Sequence, residues 1–316
     1  MRLARDGKVL AESSYTRSAS IAGRPMTGLV DPRKALALFE AGATIVFQGL
    51  HRYWPALSEM VAELEVELGH PCQANAYLTP ASAQGFALHS DTHDVFVFQT
   101  HGSKQWEVHG PDGPESVQLE PGVAMYLPAG TPHAARAQES VSLHVTLGIN
   151  QLTWADLLRD AVTPLVSELG AGHLPAGHLD DPAAVEKELG ERLRTLADRI
   201  AGAEPGPVLD HRVRTLLSSR PPRLAGALLD AAYGEIEDTT LLHRRPGHPC
   251  HLREVDDRVH LLLGDRVLDL PGWLRGAVEQ VCGAPQLHPR DLALDPVSRL
   301  VLCRRLVREG LLQVLP

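Results

Sequence analysis

The chain has 316 residues, of which 44% are hydrophobic and 22% charged, the balance of a globular protein with room for two or three domains. Its formal net charge of −9 and pI near 6.0 argue against non-specific binding of the whole chain to nucleic acid or an acidic membrane surface. No stretch reaches the apolar length of a membrane span, and Met1–Ser14 lacks the apolar core of a signal peptide, so a cytoplasmic protein is expected.

Residues 1–50 are mixed, with turn signals at Ala22-Gly23-Arg24-Pro25 and one strand-like run, Ala43 to Phe47. Pro55 to Leu68 predicts a helix: proline suits the first turn, Leu57, Val61, Leu64 and Leu68 fall on one stripe, and Gly69 can end it. From Ala74 to Ile149 short β-rich runs alternate with turns: Asn75 to Leu78, Val95 to Gln99, Gln105 to His109, Ala124 to Leu127 and Ser142 to Ile149. Short strands at this spacing indicate an antiparallel barrel or sandwich.

After Asn150 the pattern turns helical. Thr153 and Asp156 have the spacing of a capping box, and Pro164 is expected to bend or end the helix they open. Asp181-Pro182 opens a second helix with an apolar stripe of Val185, Leu189, Leu193, Leu196 and Ile200, closed by Gly202. Further helices are expected over about 208–216 and 222–232. These amphipathic helices need a surface to bury against, and a dimer interface is the economical expectation. Residues 236–316 mix short strands (His251 to Val255, Arg258 to Leu263) with helices. The last helix opens at Asp295-Pro296 with Val297, Leu300, Cys303 and Val307 on one face, and the whole segment is winged-helix-like. Its arginines (Arg299, Arg304, Arg305, Arg308) are too few in an acidic chain to suggest DNA binding.

The chemistry centres on His89-Ser90-Asp91. On an extended backbone, residues i and i+2 share a face, so the strand-like run after it can bring His89 and Asp91 to one point. His133, after Thr131-Pro132, would complete the two-His-one-carboxylate set of a non-haem Fe(II) oxygenase. On spacing alone, His89 and Asp91 read as well as a surface turn, and His133 as a loop histidine. The chain carries its own decoy, His178-Leu179-Asp180, where Asp180 and Asp181 are explained as caps of the following helix.

The flanking residues come in one order: Asn75-Ala76-Tyr77, His89-Ser90-Asp91, Asp94-Val95-Phe96, Gly102-Ser103-Lys104-Gln105-Trp106, Pro121-Gly122, Tyr126 to His133, and Leu143-His144-Val145-Thr146. In this register the sequence resembles the cupin-type JmjC ribosomal oxygenases, Fe(II)- and 2-oxoglutarate-dependent protein hydroxylases. The likeness is close over about 75–149 and looser beyond.

The resemblance implies a mainly β plus α chain. A double-stranded β-helix (cupin, jelly-roll) catalytic barrel would occupy residues 1–150, a helical dimerisation segment 151–235 and a winged-helix-like domain 236–316. It implies that His89, Asp91 and His133 bind Fe(II) and carry the catalysis with O₂. Lys104 would pair with the far carboxylate of 2-oxoglutarate, and Tyr77, Asn75, Thr146 and His144 would line the co-substrate pocket. The implied partners are a protein substrate, an Arg or His of a ribosomal protein, and a second copy of the chain, with no membrane or nucleic acid.

Two other readings stay open: the same chemistry on a peptide or small metabolite, and a non-catalytic cupin-like binding module. Singly, Lys104 reads as a solvated lysine, and Tyr77, Asn75, His144 and Thr146 as ordinary strand residues. The sequence departs from the family at Val123, where Asp is usual, and at Ala129, where Arg is usual. The family's aromatic-rich segment ahead of the point matching residue 1 is also expected to be missing here.

His93 is expected at the surface, Trp54 and Trp106 in the core or barrel wall, and His243, His248, Cys250 and His251 in a metal-free loop. Cys72, Cys250, Cys282 and Cys303 lie far apart with no C-x-x-C, so all four are expected as free thiols.

Overall fold

Strand pairing organises the first half of the chain. The computed structural model describes residues 1–222 and 224–314, and its backbone divides into two units, Met1–Gln151 and Leu152–Pro316. The first unit runs β1 (Arg2–Arg5), β2 (Lys8–Val9), β3 (Thr16–Ile21), β4 (Arg24–Val30), α1 (Pro32–Glu40), β5 (Thr44–Phe47) and α2 (Pro55–Leu68). It continues with β6 (Cys72–Thr79), β7 (Asp94–His101), β8 (Lys104–Gly110), β9 (Gly113–Leu119), β10 (Ala124–Leu127), β11 (His133–Ala137) and β12 (Ser142–Ile149).

These strands form a seven-stranded sheet in the order β10-β7-β12-β6-β5-β1-β2, a three-stranded sheet β11-β8-β9, and the hairpin β3-β4. The expected turn at Ala22-Gly23 is that hairpin's tip. Both residues have positive φ (50° and 77°), as a two-residue hairpin turn matching the strand twist requires. The four strands β1 to β4 were not expected in the mixed first fifty residues, and within residues 74–149 two more were not expected. β9 contains Pro114 and lies at a sheet edge, where a missing N–H is tolerated. β11 begins at His133 itself and is rich in alanine, a weak strand former.

Two of the strands around the cavity, β6 and β12, have an inverted polarity. On β6 and β12, Cys72, Ala74, Leu147 and Ile149 pack outward with Val61 of α2 in one apolar cluster. The alternate residues, period two along the same strands, are Gln73, Asn75, Tyr77, His144 and Thr146, and these line a cavity. α2 has the expected bounds and ends in Gly69 at φ 68°, the left-handed position glycine takes without a Cβ penalty. A second apolar cluster, Val95, Val97, Trp106, Leu119 and Leu127, joins the two sheets.

The second unit holds α3 (Trp154–Leu169), α4 (Pro182–Ala201), α5 (Pro205–Ser218), α6 (Ala227–Ala232), β13 (Leu242–Arg244), β14 (His251–Val255), β15 (Arg258–Leu262) and β16 (Val267–Pro271). It ends with α7 (Arg275–Gly283), β17 (Gln286–Leu287), α8 (Pro296–Arg308) and β18 (Leu312–Val314). The Thr153–Asp156 capping box is present, and Asp181 accepts from Ala184 N at the start of α4; Asp180 has no such capping bond.

Several expectations need correction. Of the two outcomes expected at Pro164, bending or ending the helix, ending is excluded, since α3 runs through it to Leu169. The helix expected over 222–232 is only α6, with Arg223 outside the described residues. On α8 the buried face is Leu302, Cys303, Leu306 and Val307, while Val297 is exposed, so the apolar stripe is rotated from the expected one. Trp54 sits exposed at the N-cap of α2, whereas Trp106 is buried.

The cysteine reading is half overturned. Cys72 and Cys303 are buried free thiols, but Cys250 and Cys282 form a disulfide. α7 carries Cys282 up to the entry of β14, bringing the two Cα atoms to 5.5 Å, inside the range a disulfide needs. A separation of 32 residues gives the sequence no signal of this pairing. Among the described residues, no helix is long and apolar enough to cross a membrane.

Candidate active site

His89 and His133 lie directly opposite each other in an isolated antiparallel bridge. His89 N donates to His133 O at 3.1 Å and His133 N to His89 O at 2.7 Å. Opposed residues of such a pair project to the same side, so the two imidazoles meet with ring centroids 4.5 Å apart. His89 therefore does not belong to β7. It stands five residues before it, on an extended piece of chain that pairs with β11.

Each imidazole is oriented the same way. His89 Nδ1 is 2.9 Å from Ala87 O, and His133 Nδ1 is 2.9 Å from Thr131 O. A neutral ring that donates from Nδ1 to a carbonyl keeps its Nε2 lone pair free, the usual arrangement of a metal-binding histidine. Burial is the main influence on His133 and holds its imidazole below the ordinary value, so it is neutral at pH 7.

Asp91 completes the group, with Oδ2 3.7 Å from His133 Nε2. The ligand atoms of His89, Asp91 and His133 all lie within 4.8 Å of one another, and among the described residues no other His/Cys/Asp/Glu group converges in this way. Two imidazoles and one carboxylate on one side of a point form the facial set that suits Fe(II) and leaves coordination positions open. The donor set fits the metal.

The loop that delivers His133 is pinned from below. Gly130 N donates to Asp91 O at 2.8 Å, and Ala129 N to Asp94 Oδ1 at 2.7 Å, while Tyr126 OH donates to the same Asp94 carboxylate.

The residues expected to line a co-substrate pocket come together as β6 and β12 pair. Tyr77 lies opposite His144, and Asn75 opposite Thr146. The Tyr77 and His144 rings stack at 4.7 Å, only 4° from parallel. Asn75 Oδ1 accepts from Gly49 N at 2.9 Å, so its carbonyl holds the turn ahead of residues 50–52.

Lys104, the first residue of β8, is 4% exposed and lines the same cavity. Its Nζ is 3.0 Å from Thr79 Oγ1 and 3.4 Å from His144 Nδ1. Burial lowers Lys104 to about 7, from the 10.5 of a free lysine. His144 is held well below its ordinary value, first by burial and then by the Lys104 charge. Among the described residues no carboxylate pairs with Lys104, so the buried amine lacks the anion that would hold its proton. A dicarboxylate reaching from the triad would supply one.

The cavity is about 720 Å³, the size of a small-molecule site. It also holds residues that sequence reading did not single out: Arg2, Thr44, Gln48, His51, Arg52 and Gln73. His51 has a visible duty, its Nδ1 accepting from Ala74 N at 3.0 Å. His93 also lines this cavity and is only partly exposed, against the expectation of a surface residue. It fits because Gly148 leaves room; a Cβ there would lie 2.7 Å from the His93 ring. The stretch expected as a loop is partly strand, with His243 on β13 and His251 at the start of β14, and Cys250 is committed to its disulfide.

Comparison with known proteins agrees with this geometry. Residues 51–157 match the JmjC domain family. Ribosomal oxygenase 1 of Rattus norvegicus is 30% identical over 233 residues, covering 61% of this chain and 39% of that protein. Ribosomal oxygenase 2 of Bos taurus is 32% identical over 213 residues, covering 58% and 46%. The bifunctional lysine-specific demethylase and histidyl-hydroxylase NO66 of Culex quinquefasciatus is 29% identical, covering 62% and 36%. This chain thus spans less than half the length of the curated relatives it matches.

Among solved structures, the Escherichia coli ribosomal oxygenase YcfD superposes with a TM-score of 0.56 over 99% of this chain and 86% of its own, at 19% identity. A form of that protein in complex with cobalt and 2-oxoglutarate gives 0.53 over 95% and 87%, at 18% identity. At that identity the likeness speaks for the fold. Residues 51–157 of this chain thus match a JmjC domain, and the chain is similar in sequence to the ribosomal oxygenases.

Proposed function

We propose that this protein is an Fe(II)- and 2-oxoglutarate-dependent dioxygenase that hydroxylates a side chain of a ribosomal protein. The observation that carries the reading is one cavity in which the Nε2 atoms of His89 and His133 and the Asp91 carboxylate converge, with Lys104 buried on the same wall. Iron with 2-oxoglutarate and O₂ supplies C–H hydroxylation coupled to decarboxylation of the keto acid to succinate. His89, Asp91 and His133 hold the metal. Lys104 takes the far carboxylate, and Tyr77, Asn75, His144 and Thr146 shape the wall around the chain of the keto acid.

The target side chain is an uncharged imidazole in preference to a guanidinium. Arg2, Arg52 and Lys104 line the cavity, and Asp91 is its one carboxylate among the described residues. A dication and a dianion cancel once bound, so the wall keeps an excess of positive charge that repels an entering arginine. The name of the mosquito relative, a histidyl-hydroxylase, points the same way.

The helical segment, taken as 151–235, is proposed as the dimerisation surface. α3 and α4 bury no residue in the single chain, and Leu189, Leu193 and Ile200 of α4 stay exposed. The winged-helix-like segment 236–316 is proposed as a packing module. Arg299 pairs with Asp238 and Arg305 with Glu309, which uses two of its arginines internally.

The test is succinate formation with Fe(II), 2-oxoglutarate and ribosomal proteins, in the wild type and in His89→Ala and Lys104→Ala. Turnover in the wild type alone is expected, and equal turnover in all three overturns the reading. Mass spectrometry of ribosomal proteins from a deletion strain then reads the target. A histidine lacking one oxygen is the expected change; an unchanged set would favour a peptide or small metabolite.

A further inference from the structure

Behind Lys104, away from the triad, two threonines form a line that sequence reading did not single out. Thr79, the last residue of β6, lies 3.0 Å from Lys104 Nζ through its Oγ1. That same Oγ1 is 3.1 Å from Thr44 Oγ1, on the first residue of the neighbouring strand β5. All three are inaccessible: Thr44 is 1% exposed, Thr79 0% and Lys104 4%. Thr79 is absent from the cavity wall, so it does not reach a ligand itself.

Counting donors shows what the line holds. An ammonium has three N–H donors and no acceptor. One goes to Thr79 Oγ1, and His144 Nδ1, neutral because it is buried, can accept a second. The third remains for the cavity. A hydroxyl oxygen has two lone pairs, so Thr79 Oγ1 accepts from Lys104 and from the Thr44 hydroxyl together. Both bonds meet on one oxygen in a medium of low dielectric, which fixes that oxygen beside the lysine.

Gly85 belongs to the same device. A Cβ at Gly85 would lie 2.6 Å from Thr44 Oγ1, so only glycine leaves that hydroxyl where it is. A buried methyl at either threonine position would fill the space equally well. Burying two hydroxyls there is useful only if they serve the cation beside them.

We infer that Thr79, backed by Thr44, is the positioning residue that seats the Lys104 ammonium for the far carboxylate of a 2-oxo dicarboxylic acid. The inference rests on the functional reading above. Without the line, the lysine has only His144 to hold it and must be ordered by the ligand itself, at a cost in affinity.

The test is calorimetric titration of the full chain, loaded with Mn(II), with 2-oxoglutarate. Thr79→Val is isosteric and removes the hydroxyl; Thr79→Ser keeps it. Thr79→Val is expected to weaken 2-oxoglutarate by about tenfold or more, the scale of one lost hydrogen bond to a charged group. Mn(II) affinity should be unchanged, and Thr79→Ser should stay within about threefold of the wild type. Equal 2-oxoglutarate affinity in Thr79→Val and wild type overturns the inference, as does equal loss in Val and Ser. If Thr79→Val fails to fold, Thr44→Val reads the far end of the line: weakened 2-oxoglutarate binding with intact Mn(II) binding supports the inference, and unchanged binding overturns it. Failure of the wild type to bind 2-oxoglutarate at all would instead defeat the functional reading.

Discussion

His89 and His133 are tied backbone to backbone, each donating its N–H to the other's carbonyl, before either side chain meets a metal. The bridge is indifferent to the side chains that stand on it. His89→Ala should therefore leave the fold of the metal-free protein intact while removing one ligand. We expect metal affinity to fall by more than about 100-fold, beyond what loss of an outer hydrogen bond costs. The apparent melting temperature without metal should barely move. Titration with Co(II) and a thermal scan on one sample check both halves.

With Lys104 in the role proposed for it, co-substrate binding is expected to be sensitive to pH. Its folded value of about 7 lies below the ordinary 10.5. Between those values the unfolded chain holds a proton that the folded, ligand-free chain has lost, so this group makes folding more favourable as pH rises through that window. Ligand binding has the opposite sign. A dianion beside the amine restores the ammonium, so above pH 7 binding takes up a proton and affinity falls as pH rises. His144 is neutral throughout and does not offset it. Calorimetry near pH 8, in two buffers of different ionisation heat, should show close to one proton taken up, and none in Lys104→Met.

The turn between β7 and β8 has little tolerance. Gly102 has φ 61°, and a Cβ there would lie 2.1 Å from the Val141 carbonyl oxygen. Its own carbonyl accepts from Gln99 Nε2 at 3.1 Å. Gly122 has φ 92° but open space around it. Gly122→Ala should cost about 1 kcal/mol from backbone strain alone, and Gly102→Ala upward of about 3 kcal/mol, because backbone must move. Urea melts of the two variants, compared with the wild type, decide this.

The Cys250–Cys282 bond closes a loop of 32 residues in the second unit. Loop-closure entropy puts its contribution at about 3–4 kcal/mol. Reduction, or Cys250→Ser, should lower the denaturant midpoint of that unit and leave 2-oxoglutarate binding unchanged. Alkylation of the non-reduced protein should modify neither cysteine.

Much of the site could be read in the chain because its residues fall at period two on strongly patterned strands. Tyr77, His144 and Thr146 were named through the family resemblance; composition placed them on strands, and the pairing of β6 with β12 sets them face to face. The triad was found from spacing and flanking order. What escaped were residues whose roles depend on contacts between distant segments. Thr44 and Thr79 look like ordinary β-branched strand residues until β5 docks beside β6. Arg2 and Arg52 line the cavity only once β1 pairs with β5 and the chain at 50–52 turns beside it. Cys250 and Cys282 have no local pattern at all. His93 and Trp54 were misplaced because burial near a cavity or at a helix start follows from the neighbours each side chain meets.

The inverted polarity of β6 and β12 separates what holds the barrel together from what it does. Its adhesive face is the outer one, where Cys72, Ala74, Leu147 and Ile149 meet α2. Its inner face is free to be polar, charged and incompletely satisfied. A substitution at Tyr77 or Thr146 alters the reaction vessel without loosening the wall. A substitution at Ala74 or Leu147 does the reverse. Selection can therefore retune the target of such a barrel through a handful of inward positions, while the outward ones keep the same scaffold standing.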